Sequence, residues 1–292
     1  MLGLFGCESA LDLADDPQVV VVETGPWRCL GKTSEPAVSS KPTASVHVRP
    51  CDFVANCATK IPDMTARLCS KRDFGCFTPL VSNIQDVNKN GDLHFEVPMG
   101  FDGYLEVTSP TKRCTEFGDQ SQLLCLMANQ LQGCDLANTA TDPKCIMPTY
   151  AQTLLFFNPP IGADTTVPLD LPMLSLGNAP TLLVSAGIPT AALANTTGGN
   201  LFVTVRDCDG KPASGVKLDI PPQQNEVFQL YNASGLPTRD ATETDSSGVG
   251  AFVGIPAKFV EVTAHAPDGR LIGKIGVQGG PNSLTYSSLT PQ

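Results

Sequence analysis

The residues with the most chemical potential are eleven cysteines, three histidines and one acidic loop. The cysteines stand at Cys7, Cys29, Cys51, Cys57, Cys69, Cys76, Cys114, Cys125, Cys134, Cys145 and Cys208, and no two are spaced Cys-x-x-Cys. Zinc sites rely on that tight spacing to bring two thiolates onto one ion, so the pattern argues for disulfides and an oxidising compartment. The segment Asp86-Val-Asn88-Lys-Asn90-Gly91-Asp92 matches the opening of a calcium loop, with Asp86, Asn88, Asn90 and Asp92 as oxygen ligands. The twelfth position of such a loop should be a bidentate Glu and is Val97, so ligation would be incomplete and a plain hairpin turn is the competing reading. His47, His94 and His265 have no Gly-x-Ser-x-Gly elbow beside them. A triad needs only spatial proximity, but His47 and His94 read as outward residues on strands. Phosphate loops and Gly-x-Gly-x-x-Gly turns are missing, so nucleotide chemistry has no starting point and a non-enzyme is expected.

The elements that must position these residues are strands. Twenty-five prolines and twenty-six glycines in 292 residues oppose helix interiors. The net charge of −10, with no cationic cluster to offset it, excludes nucleic acid as a partner. No apolar run approaches a bilayer span, so membrane attachment would be at an end of the chain or through lipid.

Eleven is odd, and Cys7 is the residue to set apart. Met1-Leu-Gly-Leu-Phe-Gly-Cys7 resembles a bacterial lipobox, whose cysteine is acylated, and Glu8 after it would favour the outer membrane of a Gram-negative cell. An apolar terminal segment with a free thiol is the alternative. Removing Cys7 leaves ten cysteines, an even set.

Residues 46–52 read Val-His-Val-Arg-Pro-Cys-Asp and residues 203–209 read Val-Thr-Val-Arg-Asp-Cys-Asp, identical at five of seven positions. Each is followed by a Gly turn at Gly91 or Gly248, an apolar strand ending in Pro98 or Pro256, and Glu-Val-Thr at 106–108 or 261–263. The shared order of landmarks argues for a duplicated domain. Alternation at Leu201, Val203 and Val205, and again at Val216, Leu218 and Ile220, buries one face of each strand. The expected fold is mainly β: two tandem antiparallel β-sandwiches with a small disulfide-rich helical insert.

The run from Val203 through Gly210-Lys-Pro212-Ala-Ser-Gly215-Val216 to Val260-Glu-Val-Thr263 resembles the carboxypeptidase regulatory-like domain, a transthyretin-like, Ig-like sandwich. The resemblance implies structural glycines and no shared catalytic residues. Trp27-Arg-Cys-Leu-Gly31, Phe101-Asp-Gly-Tyr-Leu-Glu-Val-Thr108 and Leu154-Leu-Phe-Phe-Asn-Pro-Pro160 are also similar to a group of bacterial secreted lipoproteins with two such sandwiches. Expected boundaries are an N-terminal segment and linker at 1–43, a first sandwich at 44–178 with a Cys-rich insert at 110–150, a connector at 179–198 and a second sandwich at 199–292. A helix is expected over Asp119–Gln132, with Leu123, Leu124, Leu126, Met127 and Leu131 on its apolar face. A short helix or turn is expected at Ala179–Gly187.

For pairing, the expectation is Cys114–Cys145 around Cys125–Cys134, local clips Cys51–Cys57 and Cys69–Cys76, and a bond from Cys208 to Cys29 stapling the second sandwich to the segment entering the first. The functional expectation is a non-catalytic cell-envelope lipoprotein, structural or protein-binding at the surface. The alternatives are a carbohydrate-binding module, with Trp27, Tyr104 and Tyr231 available to stack on sugars, and an accessory subunit of a secreted enzyme or adhesion complex.

Overall fold

A computed structural model of the chain describes residues 24–32, 41–73, 75–85, 91–116, 122, 125, 134–135, 137–165, 167–189, 198–223, 226–233, 236–280 and 283–291. Cys7 and most of the expected helix at Asp119–Gln132 lie outside the described residues. The chain is mainly β, as short half-buried runs broken by Gly, Pro and Asp require.

The first half contributes β1 (Thr43–Asp52), β2 (Thr65–Ser70), β3 (Val81–Gln85), β4 (Leu93–Pro98), β5 (Gly103–Thr108), β6 (Thr111–Arg113), β7 (Ile146–Pro148), β8 (Gln152–Phe156) and β9 (Leu169–Met173). A short helix, α1 (Ala179–Ser185), follows with proline in its first turn, where the missing N–H costs nothing. The second half contributes β10 (Gly198–Val205), β11 (Lys217–Asp219), β12 (Phe228–Ala233), β13 (Leu236–Thr238), β14 (Val249–Pro256), β15 (Phe259–His265), β16 (Leu271–Gln278) and β17 (Ser283–Leu289).

A nine-stranded sheet, ordered β13-β12-β14-β10-β17-β8-β5-β2-β3, runs through both halves. Smaller sheets cover it on opposite faces: β4-β1-β9 over its first-half strands, and β11-β15-β16 over its second-half strands. Under β4-β1-β9, Val46, Val48, Leu93, Phe95 and Met173 pack with Leu68, Leu105 and Val107 of the large sheet. Beneath β11-β15-β16, Leu218, Val262, Ile275 and Val277 pack with Leu201, Val203 and Phe252. The remaining face of the second-half strands is closed by a third cluster of Phe202, Phe228, Leu230 and Val253, against which α1 lays Leu182 and Leu183.

The pairing scheme runs the same way in the two halves. β1 is flanked by β4 antiparallel and β9 parallel, and β10 is flanked by β14 antiparallel and β17 parallel. In the opposing layer β5 lies between β2 and β8, as β15 lies between β11 and β16. The purely antiparallel expectation is therefore corrected. The last strand of each half crosses over to lie parallel beside its first, and β17 also pairs parallel with β8 of the other half. The turns before β4 and β14 use Gly91 and Gly248 at φ of 83° and 68°. A Cβ on Gly248 would come within 2.6 Å of the Val205 carbonyl oxygen, so both the dihedral and the space select glycine.

Five disulfides form: Cys29–Cys208, Cys51–Cys57, Cys69–Cys76, Cys114–Cys125 and Cys134–Cys145. The expected nesting of Cys114–Cys145 around Cys125–Cys134 is corrected. β6 and β7 pair as the stem of the insert, and the Cys114 N–H donates to the Cys145 carbonyl oxygen at 2.9 Å. The backbone already joins those two residues, and each sulfur turns inward to a cysteine deeper in the insert. All four cysteines are buried in a small cluster with Met147.

Candidate functional site

β2 carries the buried Cys69, and the chain turns back through Asp73 and Gly75 to Cys76, whose disulfide shuts the loop. The Asp73 carboxylate accepts the Phe77 N–H at 3.0 Å, the Thr78 N–H at 2.7 Å and the Thr78 hydroxyl at 3.0 Å. These bonds, led by the one from the Thr78 backbone, hold the Asp73 carboxyl below its ordinary pKa. From the large sheet, Tyr104 donates its hydroxyl to the Asp73 carbonyl at 2.8 Å. Arg67 donates to the carbonyls of Gly75 and Cys76 while its Nε donates to Glu106 at 2.8 Å. Burial pushes the Tyr104 phenol up to about 12, so at neutral pH it remains a donor.

A loop tied down in this way presents Phe77 to solvent at 84% exposure, followed by Leu80 at 54%. Beside this ridge lies a cleft of ≈ 260 Å³ between Arg67, Glu106, Pro79, Ser82 and Asn83, next to the edge strand β3. An aromatic side chain displayed on a fixed loop is an arrangement that contact surfaces use, because the loop's ordering entropy is already lost. Sequence reasoning missed Phe77. The available signal was a large aromatic directly after a clipped cysteine, in a segment too short to bury it.

Three aromatics were offered instead, and the structure withdraws them. Trp27, Tyr104 and Tyr231 are 7%, 1% and 4% exposed and belong to the same core cluster. Tyr104 stacks on Phe156 at 4.9 Å between ring centroids, and the Tyr231 hydroxyl accepts the Leu218 N–H at 2.9 Å. Their faces are not available to a sugar. Trp27 sits in the segment that carries Cys29, where Arg28 forms an ion pair with Asp209 beside the Cys29–Cys208 bond.

The structure brings two of the histidines together. His47 on β1 lies opposite His94 on β4, with His47 Nε2 against His94 Nδ1 and Ser45 Oγ 3.1 Å from His94 Nε2. The order hydroxyl, imidazole, orienting group is that of a nucleophile and its base. Two features oppose acyl transfer here. The Ser45 N–H donates to Asp164 at 2.9 Å and the His47 N–H to Thr165 at 2.8 Å, so neither is free to stabilise an oxyanion. The face is also open to water, with His94 exposed. His265 lies apart, its Nε2 3.9 Å from Asp219 Oδ2.

Of the calcium candidates, Asp86, Asn88 and Asn90 lie outside the described residues, and Asp92 forms an ion pair with Lys60 at 3.3 Å. Among the described residues, two groups of three converge as metal ligands would: Cys69, Cys76 and Glu106, and Cys134, Asp142 and Cys145. In each the sulfurs are spent in a disulfide.

No family model matches the chain, and no curated protein does. Among solved structures it is similar to the Bacillus anthracis TIE protein, at 12% identity over 86% of this chain and 34% of that one, with a TM-score of 0.24. The chain thus spans about a third of that protein's length. It is also similar to the shaft pilin SpaA of Lactobacillus rhamnosus GG, at 9% identity over 86% of this chain and 99% of that one, TM-score 0.24. A third is a family 26 carbohydrate-binding module of Eubacterium rectale in complex with maltoheptaose, at 6% identity over 85% of this chain and 92% of that one, TM-score 0.24.

Proposed function

We propose that this is a non-catalytic protein of the bacterial cell envelope, exported, lipid-anchored through Cys7 at the outer membrane, and built as a structural or protein-binding surface module. The observation that carries the reading is the covalent hardening: all ten cysteines after Cys7 are paired, leaving Cys7 as the odd sulfur. Ten paired cysteines persist only where the medium is oxidising. Within this reading the chain is two copies of one transthyretin-like sandwich, divided at the 179–198 connector, and the shared pairing scheme of the halves supports it. The Phe77 ridge beside β3 is the surface we assign to partner contact.

Native intact mass with and without reduction and alkylation tests the compartment. Five disulfides plus an acylated Cys7 are expected, with Cys7→Ser moving the protein out of the membrane fraction. Several free thiols in the unreduced protein would sink the exported reading. With Trp27, Tyr104 and Tyr231 in the core, the glycan-binding reading turns to Phe77, the most exposed aromatic among the described residues. A glycan array comparing the wild type with Phe77→Ala decides it, and a signal unchanged by that substitution removes Phe77 from consideration.

A further inference from the structure

We propose that His47 and His94 form a surface site for a late divalent transition metal, copper(II) above nickel(II) and zinc(II). His47 gives its N–H to Thr165 on the β9 side, away from β4. The facing pair His47 and His94 is therefore non-hydrogen-bonded, the kind in which side chains across antiparallel strands stand closest. The rings meet edge to face at 85° with centroids 3.3 Å apart, His47 Nε2 against His94 Nδ1.

One pair of tautomers suits a metal. With its proton on Nε2, where Ser45 Oγ lies 3.1 Å away and can accept it, His94 presents Nδ1 as a bare lone pair. In that tautomer of His94 the metal-free contact is made by a proton on His47 Nε2. Shifting this one proton to His47 Nδ1 is a tautomerisation with no net proton loss, after which two lone pairs aim at one point. A cation about 2.0–2.1 Å from each nitrogen fits there once the rings swing slightly apart. His94 is exposed and His47 half-buried, so water completes the coordination, and Glu96, opposite Ser45 on the same face, adds a favourable charge. Imidazoles without thiolate suit copper, nickel and zinc, and the Irving–Williams order ranks copper first. Ser45 is a positioning residue, orienting the His94 ring through its second nitrogen.

The test is calorimetric titration of the oxidised chain with copper, nickel and zinc chlorides in a non-coordinating buffer near neutral pH, alongside four variants. One equivalent of copper is expected, with nickel and zinc weaker. Ser45→Ala should weaken copper about 10-fold, as loss of an orienting partner does. His94→Ala and His47→Gln should weaken it further, and His265→Ala should leave it unchanged. Electron paramagnetic resonance of the copper form should show two imidazole nitrogens, falling to one in His94→Ala. An unchanged metal-free melting temperature shows that His94→Ala is folded, as its exposure implies. Copper binding by His94→Ala equal to wild type, or the lack of any saturable binding by the wild type, overturns the proposal.

Discussion

Cys51 and Cys208 occupy matching sequence positions, each two residues after the Arg of a Val-x-Val-Arg strand, yet they are bonded in opposite ways. Cys51 closes a local clip to Cys57 across a separation of 6, whereas Cys208 reaches back across 179 residues to Cys29. Glu106 and Glu261 show the same contrast. Both open a Glu-Val-Thr run, but Glu106 is 6% exposed and paired with Arg67, while Glu261 is 48% exposed and paired with Lys274 at 2.9 Å. The difference follows from the joined sheet. The strand bearing Glu106 lies inside the nine-stranded sheet with both faces covered, and the strand bearing Glu261 lies in a three-stranded sheet with one face in water. The same Glu-Val-Thr run is thus structural inside the nine-stranded sheet and ordinary surface in the three-stranded one.

The largest effect should separate the two disulfides. In the loop-entropy account, losing Cys29–Cys208 through paired Ser substitutions costs about 5 kcal/mol, and losing Cys51–Cys57 about 2 kcal/mol. Guanidinium midpoints of the two double variants measure this, and equal losses would break the contrast. Trp27→Ala should cost about 3–5 kcal/mol, the range for emptying a buried Trp site. Because Trp27 shares a cluster with Leu154 and Phe156 of one half and Val203 and Val205 of the other, the loss should appear in a single transition. Two resolved transitions by calorimetry would show that the halves unfold separately.

A smaller pair of changes sharpens the comparison within the sheets. Glu106→Gln removes a charge partner from a buried position and should cost about 1–3 kcal/mol, while Glu261→Gln should stay within about 0.5 kcal/mol, as exposed ion pairs do. Similar values from the two would mean that burial does not distinguish them. The smallest effect is one of pH. The lowered Asp73 carboxyl stabilises the Phe77 loop above the unfolded carboxylate value of about 3.9, and that support is lost as pH falls through the folded value. Hydrogen exchange at the Phe77 and Thr78 amides should therefore gain protection loss below about pH 4 in the wild type and show no such step in Asp73→Ala.

Much of the strand layout was legible because alternation is a local property. The pattern in β1 from Ala44 to Val48, and in β15 from Val260 to Ala264, assigns each side chain to a face without knowledge of what covers it. The turns at Gly91 and Gly248 were legible for the same reason, since their dihedrals exclude most other residues. The site was less readable. His47 and His94 read correctly as outward residues, but their meeting depends on the register between β1 and β4. A shift of one residue would have sent the two rings to opposite faces. Trp27, Tyr104 and Tyr231 read as surface aromatics because their cover comes from distant chain, and Phe77 went unnoticed because only the packed structure shows that nothing covers it.

The sequence by itself determined the strands, the turns and the presence of ten pairable cysteines, all consequences of side-chain period, backbone dihedrals and parity. Tertiary structure alone decided that β17 enters beside β8 and fuses two sheets into one, and that the insert pairs its cysteines in sequence order. Those outcomes rest on contacts between residues far apart in the chain, where what matters is which apolar faces find each other, and no local pattern encodes that.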